Sequence, residues 1–101
     1  MDINSSTNPN PSPPKNYSKR QKAIFLIYEV LIKEHGKHAT QLKRQYISLE
    51  ISKRLSCGTT EAITIESNLR KMVKDGYETD LKDPEVIELL TILRERGMRY
   101  V

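Results

Sequence analysis

The chain has 101 residues, of which 37% are hydrophobic and 30% are charged, a size and composition that suit one soluble, helix-rich domain. It has no run of about 18 apolar residues, so we expect no membrane span. The N-terminal residues lack the basic region and the apolar region of a secretory signal, so we expect a cytoplasmic protein. The single cysteine excludes a disulfide within the chain and, with only two histidines beside it, disfavours a zinc site.

The net charge of +4 is distributed unevenly. Residues 37–74 contain eight basic and three acidic side chains, whereas residues 75–101 contain four basic and seven acidic ones. A concentration of positive charge suits an anionic polymer, because neutralised phosphates release their counterions. A solvated lysine-rich surface has the same composition, so charge alone leaves both interpretations open.

Residues 1–16 contain four of the five prolines, together with many Asn and Ser residues. Such a segment cannot bury enough apolar area to offset the entropy lost on ordering. We therefore predict a disordered tail over residues 1–16 and a helical domain over residues 17–101.

The first helix is predicted to begin after Ser18, because Ser18 and Gln21 have the spacing of a capping box, and to end at Gly36. The β-branched residues of 23–32 also permit a strand, but the capping and the length favour a helix. Apolar residues fill more than one face of it: Ile24, Phe25, Ile27, Tyr28, Val30, Leu31 and Ile32. We predict a central scaffold helix, or one that lies partly in a dimer interface.

The segment 40–55 is predicted to form one helix, or two short ones with a bend near Tyr46. Its second part is a helix over about 47–56, followed by a turn at 56–59 and a second helix over about 60–74. Two short helices joined in this way form a helix-turn-helix, in which the second helix crosses close above the first.

Small and apolar residues occupy the positions that this unit requires. Ser52 is the small residue at the crossing, and Ile51 and Leu55 anchor the first helix. Cys57 and Gly58 supply the turn, with Cys57 as a small buried hydrophobe. The residues predicted to face the core from the second helix are Ala62, Ile65, Leu69 and Val73.

The other face of the second helix is polar and basic. Thr, Ser and Asn can reach base edges and phosphates, Ile63 can contact a thymine methyl, and lysines suit phosphates. Glu66 fits less well, and must accept from a cytosine amino group or point away from the backbone. The predicted DNA contacts are Thr59, Thr60, Ile63, Thr64, Ser67, Asn68, Arg70, Lys71 and Lys74, flanked by Lys43, Arg44, Lys53 and Arg54.

The stretch EISKRLSCGTTEAITIESNLRKMV resembles the helix-turn-helix of bacterial transcription factors, of the sigma region 4, response-regulator effector and small phage or mobile-element types. The residues that carry the match are Ile51, Ser52, Leu55, Ser56, Thr59, Ala62 and Leu69. Ser stands where Ala and Gly are usual, and Ala where Val is usual. The resemblance implies sequence-specific binding of double-stranded DNA by a small transcriptional regulator or a mobile-element or phage protein, as a homodimer or beside a partner.

A last helix is predicted after a turn at Gly76 and a loop over residues 77–82, for which a single wing strand is the alternative. Asp83 has the character of an N-cap and Pro84 that of a first helical residue, and Gly97 ends the helix. The residues predicted to face inward are Val86, Ile87, Leu90 and Leu93.

These patterns predict an all-α bundle of four to five helices that contains a helix-turn-helix. The alternative function is a helical protein-interaction or assembly module that uses the apolar first helix and the acidic last one. We predict no enzyme activity, cofactor or small-molecule substrate, because the chain has no catalytic cluster, Gly-rich phosphate loop or metal-ligand set.

Overall fold

The computed structural model describes residues 16–55 and 61–100, and that part of the chain is all-α, as predicted. Its elements in chain order are α1 (Lys19–His35), a short 3-10 helix (Gly36–Gln41), α2 (Arg44–Arg54), α3 (Ala62–Lys74) and α4 (Pro84–Glu95). The described residues contain no strand, so residues 77–82 form a loop and not a wing.

Helix α1 is the centre of the fold. The predicted capping box is present: the Ser18 hydroxyl accepts from the backbone N–H of Gln21, and the Gln21 side chain accepts from the backbone N–H of Ser18. Helices α2, α3 and α4 all pack against α1. Its buried residues are Ala23, Ile24, Phe25, Leu26, Ile27, Val30 and Leu31. The apolar excess of this helix therefore serves packing within the chain.

The connection from α1 to α2 begins at Gly36, whose φ of 54° lies in the left-handed region that favours glycine. After the 3-10 helix the backbone is extended at Lys43, which is the N-cap of α2 and gives no side-chain cap hydrogen bond. Residues 40–55 thus form neither one helix nor two helices with a bend near Tyr46, because the break falls at residues 42–43 and Tyr46 lies inside α2.

Helices α2 and α3 pack against each other and, together, on α1. Two serines of α2, Ser48 and Ser52, are each only 1% exposed, and Ser48 lies beside Glu66 and Leu69 of α3. The apolar residues buried in the two helices are Ile47, Ile51, Ile65, Leu69 and Met72. Helix α2 therefore buries small polar side chains as well as apolar ones on its packed side.

Two predicted core positions are wrong. Val73 is 55% exposed and Met72 is buried in its place. The buried face of α3 is centred near Ile65 and Met72, which are seven residues or about two helical turns apart, and the next residue, Val73, is turned away from it. Ile87 is 51% exposed and Leu89 is buried in its place, since Leu89 lies between Val86 and Leu93 on the same face of α4.

The start of α4 is held against α1 by charge. Asp83 caps α4 by accepting from the backbone N–H of Glu85. The Lys22 ammonium lies 2.7 Å from a carboxylate oxygen of Asp83 and 2.8 Å from one of Glu85. Hydrogen bonding to Asp83, then to Glu85, raises the pKa of Lys22 above its usual range. The bond from Lys22 also lowers the pKa of Asp83.

The residues after α4 fold back onto α1. Gly97, with φ of 85°, ends the helix, and Met98 is buried. The hydroxyls of Tyr100 and Thr79 both donate to the carboxylate of Glu29, at 3.0 and 2.5 Å. Glu29 thus joins the loop before α4 to the end of the described chain.

Among the described residues no helix combines the length and apolar content that crossing a bilayer requires. The predicted tail, apart from Asn16, and the predicted turn at 56–59 with Cys57 lie outside the described residues.

Candidate nucleic-acid interface

One face of α3 is exposed along its whole length. Ile65, Leu69 and Met72 are buried, and the residues predicted for the outer face lie opposite them. Ile63, at 81%, is the most exposed large hydrophobic side chain of the described residues. The exposed members of the predicted set on this helix are Ile63, Thr64, Ser67, Arg70, Lys71 and Lys74. Their spacing of three or four residues makes them one continuous strip.

The cations of this strip differ in their partners. Arg70 forms an ion pair of 2.8 Å with Glu66, one helical turn earlier. Lys71 and Lys74 form no ion pair with any described residue. Glu66 therefore points along α3 toward Arg70, which partly neutralises it. The free positive charge of α3 is concentrated in its last turn.

Asn68 is half-buried and is already engaged. Its side-chain oxygen accepts a 3.0 Å hydrogen bond from the amide of Gln21, and its side-chain nitrogen donates to the backbone carbonyl of Thr64. A contact between Asn68 and a base would require these bonds to break. The structure gives Asn68 a place between α1 and α3, at the edge of the exposed strip.

Three predicted phosphate contacts on and before α2 are exposed. Lys43 and Arg44, at the N-terminal end of α2, form no ion pair with any described residue. Lys53, at the C-terminal end, lies 3.9 Å from Glu50, at the limit for an ion pair. These side chains are available to an external anion.

Arg54 differs from the other predicted basic contacts because its side chain is largely buried against α1. Its guanidinium donates two hydrogen bonds to Glu34 of α1, at 3.0 and 2.8 Å, and lies 3.5 Å from Glu50. Its side chain is only 21% exposed. The bond to Arg54 lowers the pKa of Glu34, and the same bond raises the pKa of Arg54. Arg54 therefore joins α2 to α1.

The positions named for a helix-turn-helix in α2 and α3 are buried or half-buried, except for Val73, which is exposed. Ile51, Ser52 and Ile65 are buried, and Leu55 and Ala62 are half-buried. The turn, with Thr59 and Thr60, lies outside the described residues.

Three contacts join the start of α1, together with Tyr17 just before it, to α3 and to the residues at its two ends. The sequence predicts none of them. The sequence indicates only a capping role for Gln21, and it carries no signal for the partners of Tyr17 and Arg20. The contacts, each of 3.0 Å, join Tyr17 to Asp75, Arg20 to Glu61 and Gln21 to Asn68. They fix both ends and the middle of α3 relative to α1.

Histidine and acidic side chains do not gather into a metal site in the part of the chain that the structure describes. His35 instead packs against the ring of Tyr46, with the ring centres 5.8 Å apart, and His38 is exposed.

Comparison of the chain with protein-family models, with curated proteins and with solved structures found no match.

Proposed function

We propose that the chain binds double-stranded DNA in a sequence-specific manner, with the exposed strip of α3 in the major groove. The observation that carries this proposal is the composition of that strip, which combines hydroxyls, one exposed Ile and two lysines without an ion pair. Hydroxyls and apolar groups read base edges and thymine methyls, and lysines bind phosphates.

The dimensions of α3 suit this role. Its 13 residues give a length of about 20 Å, and a major groove of about 12 Å in width accepts an α-helix. The opposite face of α3 is packed on α1 and α2, so the exposed strip is presented on a rigid support. The buried Ser52 at the packed face of α2 supports the assignment of α2 and α3 as a helix-turn-helix.

Lys43, Arg44 and Lys53 would contact phosphates beside the groove. All three are exposed, and the first two have no ion pair within the described residues. Arg54 contributes through its bonds to Glu34, which hold α2 in place, rather than through a phosphate. One such unit has a small footprint, so we include in the proposal a homodimer that binds a two-part site.

The alternative of a protein-interaction module loses its main surface, because the apolar residues of α1 are buried within the chain. The acidic helix α4 retains only Ile87 as a large exposed apolar residue.

The test compares two double variants that change the net charge equally. In the first, Lys71→Glu and Lys74→Glu reverse the charge at the end of α3. In the matched control, Lys82→Glu and Arg94→Glu reverse the charge of two exposed cations. Arg94 lies in the last turn of α4, and among the described helices α4 packs only on α1. Binding to labelled duplexes selected from a random pool is measured by fluorescence anisotropy.

We expect the α3 variant to bind at least about tenfold more weakly, since each lost phosphate contact lowers the affinity, and the control to lose much less. Equal losses in both variants would show a general charge effect and would contradict the assignment of α3. Ellipticity in the far ultraviolet confirms that both variants remain helical.

A further inference from the structure

Glu66 is an acidic residue on the helix that is proposed to enter the major groove, where a carboxylate is repelled by phosphates. Its side chain is 32% exposed and lies beside Ser48, at the junction of α2 and α3. Its carboxylate accepts a 2.8 Å hydrogen bond from the guanidinium of Arg70, one helical turn later. Because the carboxylate is occupied by Arg70, the effect of Glu66 on the exposed strip is the orientation that it gives to this arginine.

Arg70 lies in the row of α3 that faces away from the core. The members of this row are three or four residues apart and are all exposed. They are Ile63, Ser67, Arg70 and Lys74. Ile65 and Met72, on the opposite side of the helix, are buried. With α3 in the major groove, Arg70 is therefore among the side chains that lie nearest the base edges.

The guanidinium of Arg70 retains free donors. Its Nη2 donates to Glu66, and its other N–H groups have no partner among the described residues. The side chain of Arg70 is 59% exposed. Arginine presents a planar fork of N–H donors that matches the O6 and N7 acceptors of guanine. A fork that is already oriented by a carboxylate loses less conformational entropy when it binds.

We infer that Arg70 is a specificity-determining residue that reads one guanine in the major groove, and that Glu66 is the positioning residue that orients it. Arg70 donates to O6 and N7 of the base, while Glu66 holds the guanidinium from the side of α2. This inference rests on the proposed DNA binding and adds the base that the strip of α3 selects. Lys71 and Lys74 remain phosphate contacts.

The test removes the N7 acceptor from the DNA. The full chain is titrated against a duplex selected from a random pool, and each guanine of the site is replaced in turn by 7-deazaguanine. This base keeps O6 and its Watson–Crick pairing but has no N7 acceptor. Fluorescence anisotropy measures the dissociation constant. We expect one guanine position at which the replacement weakens binding of the wild-type chain about tenfold, because the bidentate contact is lost.

Two variants separate base reading from phosphate binding. Arg70→Ala and Lys71→Ala each remove one positive charge, from neighbouring exposed positions of α3. We expect Arg70→Ala to bind the guanine and 7-deazaguanine duplexes equally. Lys71→Ala should bind both duplexes more weakly and keep the difference of about tenfold between them. A difference of the same size in both variants would overturn the assignment of Arg70.

Glu66→Ala tests the positioning role with a result that a loss of stability would not produce. Removal of a negative charge from α3 is expected to strengthen binding to an unselected duplex. The effect of 7-deazaguanine should nevertheless fall from about tenfold to about threefold, because the guanidinium must now be ordered on binding. An unchanged effect of 7-deazaguanine in Glu66→Ala would overturn the positioning role.

Failure of this inference is distinguishable from failure of the proposed function. A selected site without guanine, or wild-type binding that no 7-deazaguanine replacement weakens, would overturn the reading of guanine by Arg70 and leave DNA binding standing. If the wild-type chain showed no saturable binding to any duplex, both would be overturned.

Discussion

The amide of Gln21 in α1 donates a 3.0 Å hydrogen bond to the side-chain oxygen of Asn68 in α3. The same glutamine accepts from the backbone N–H of Ser18, so one side chain both caps α1 and positions α3. The orientation of the proposed recognition helix is thereby linked to the first turn of the central helix.

This link predicts a measurable coupling between Gln21 and Asn68. The free energy of unfolding is measured in urea for Gln21→Ala, Asn68→Ala and the double variant. The cycle cancels the lost cap and the changed helix propensity, and we expect a coupling of about 0.5–1.5 kcal/mol, the net value of one hydrogen bond. Strictly additive effects would show that the bond contributes nothing in solution.

The buried hydroxyl of Ser48 predicts a stabilising substitution. Ser48→Ala removes a group without a partner, and we expect the free energy of unfolding to rise by about 1 kcal/mol or more. Ser67→Ala, on the exposed strip of α3, is the matched control, because it gains the same helix propensity without removing a buried polar group. A gain no larger for Ser48→Ala than for Ser67→Ala would indicate that the Ser48 hydroxyl is satisfied.

The ion pairs of Lys22 predict that the stability of the fold depends on pH. The lowered pKa of Asp83 means that its contribution is present above about pH 4, the unfolded pKa, and is lost as the pH falls through the folded pKa. We expect urea unfolding midpoints to fall below pH 4, and to fall less steeply in Asp83→Asn, which retains a capping side chain. Glu78→Gln, at an exposed position without an ion pair among the described residues, is expected to leave the slope unchanged. The prediction would be contradicted if the unfolding midpoint of Asp83→Asn fell with decreasing pH as steeply as that of the wild-type chain.

Local rules were sufficient where a residue acts on its own helix. The capping box at Ser18, the ends at Gly36 and Gly97, and the cap at Asp83 are all present as predicted, because each depends on neighbours within four residues. The exposed strip of α3 was likewise predictable, since helical periodicity separates it from Ile65 and Leu69.

Positions that depend on neighbouring helices were less predictable. Val73 and Met72 are adjacent and both apolar, so only the direction from which α1 and α2 approach α3 decides which one is buried. The partners of Arg54 and Asn68 also come from α1, at sequence separations of 20 and 47 residues. A single sequence carries no signal for such pairs.

The proposed binding of DNA phosphates by the exposed cations at α2 and α3 is tested most directly by the affinity for a duplex as a function of salt concentration. We plot the logarithm of the association constant against the logarithm of the salt concentration and expect a slope of about −4 to −5, because five phosphates are neutralised. The five cations that neutralise them are Lys43, Arg44, Lys53, Lys71 and Lys74. The Lys71→Glu, Lys74→Glu variant should reduce the magnitude of this slope by about two, one for each lost phosphate contact. A wild-type slope near zero, or an unchanged slope in that variant, would contradict the claim.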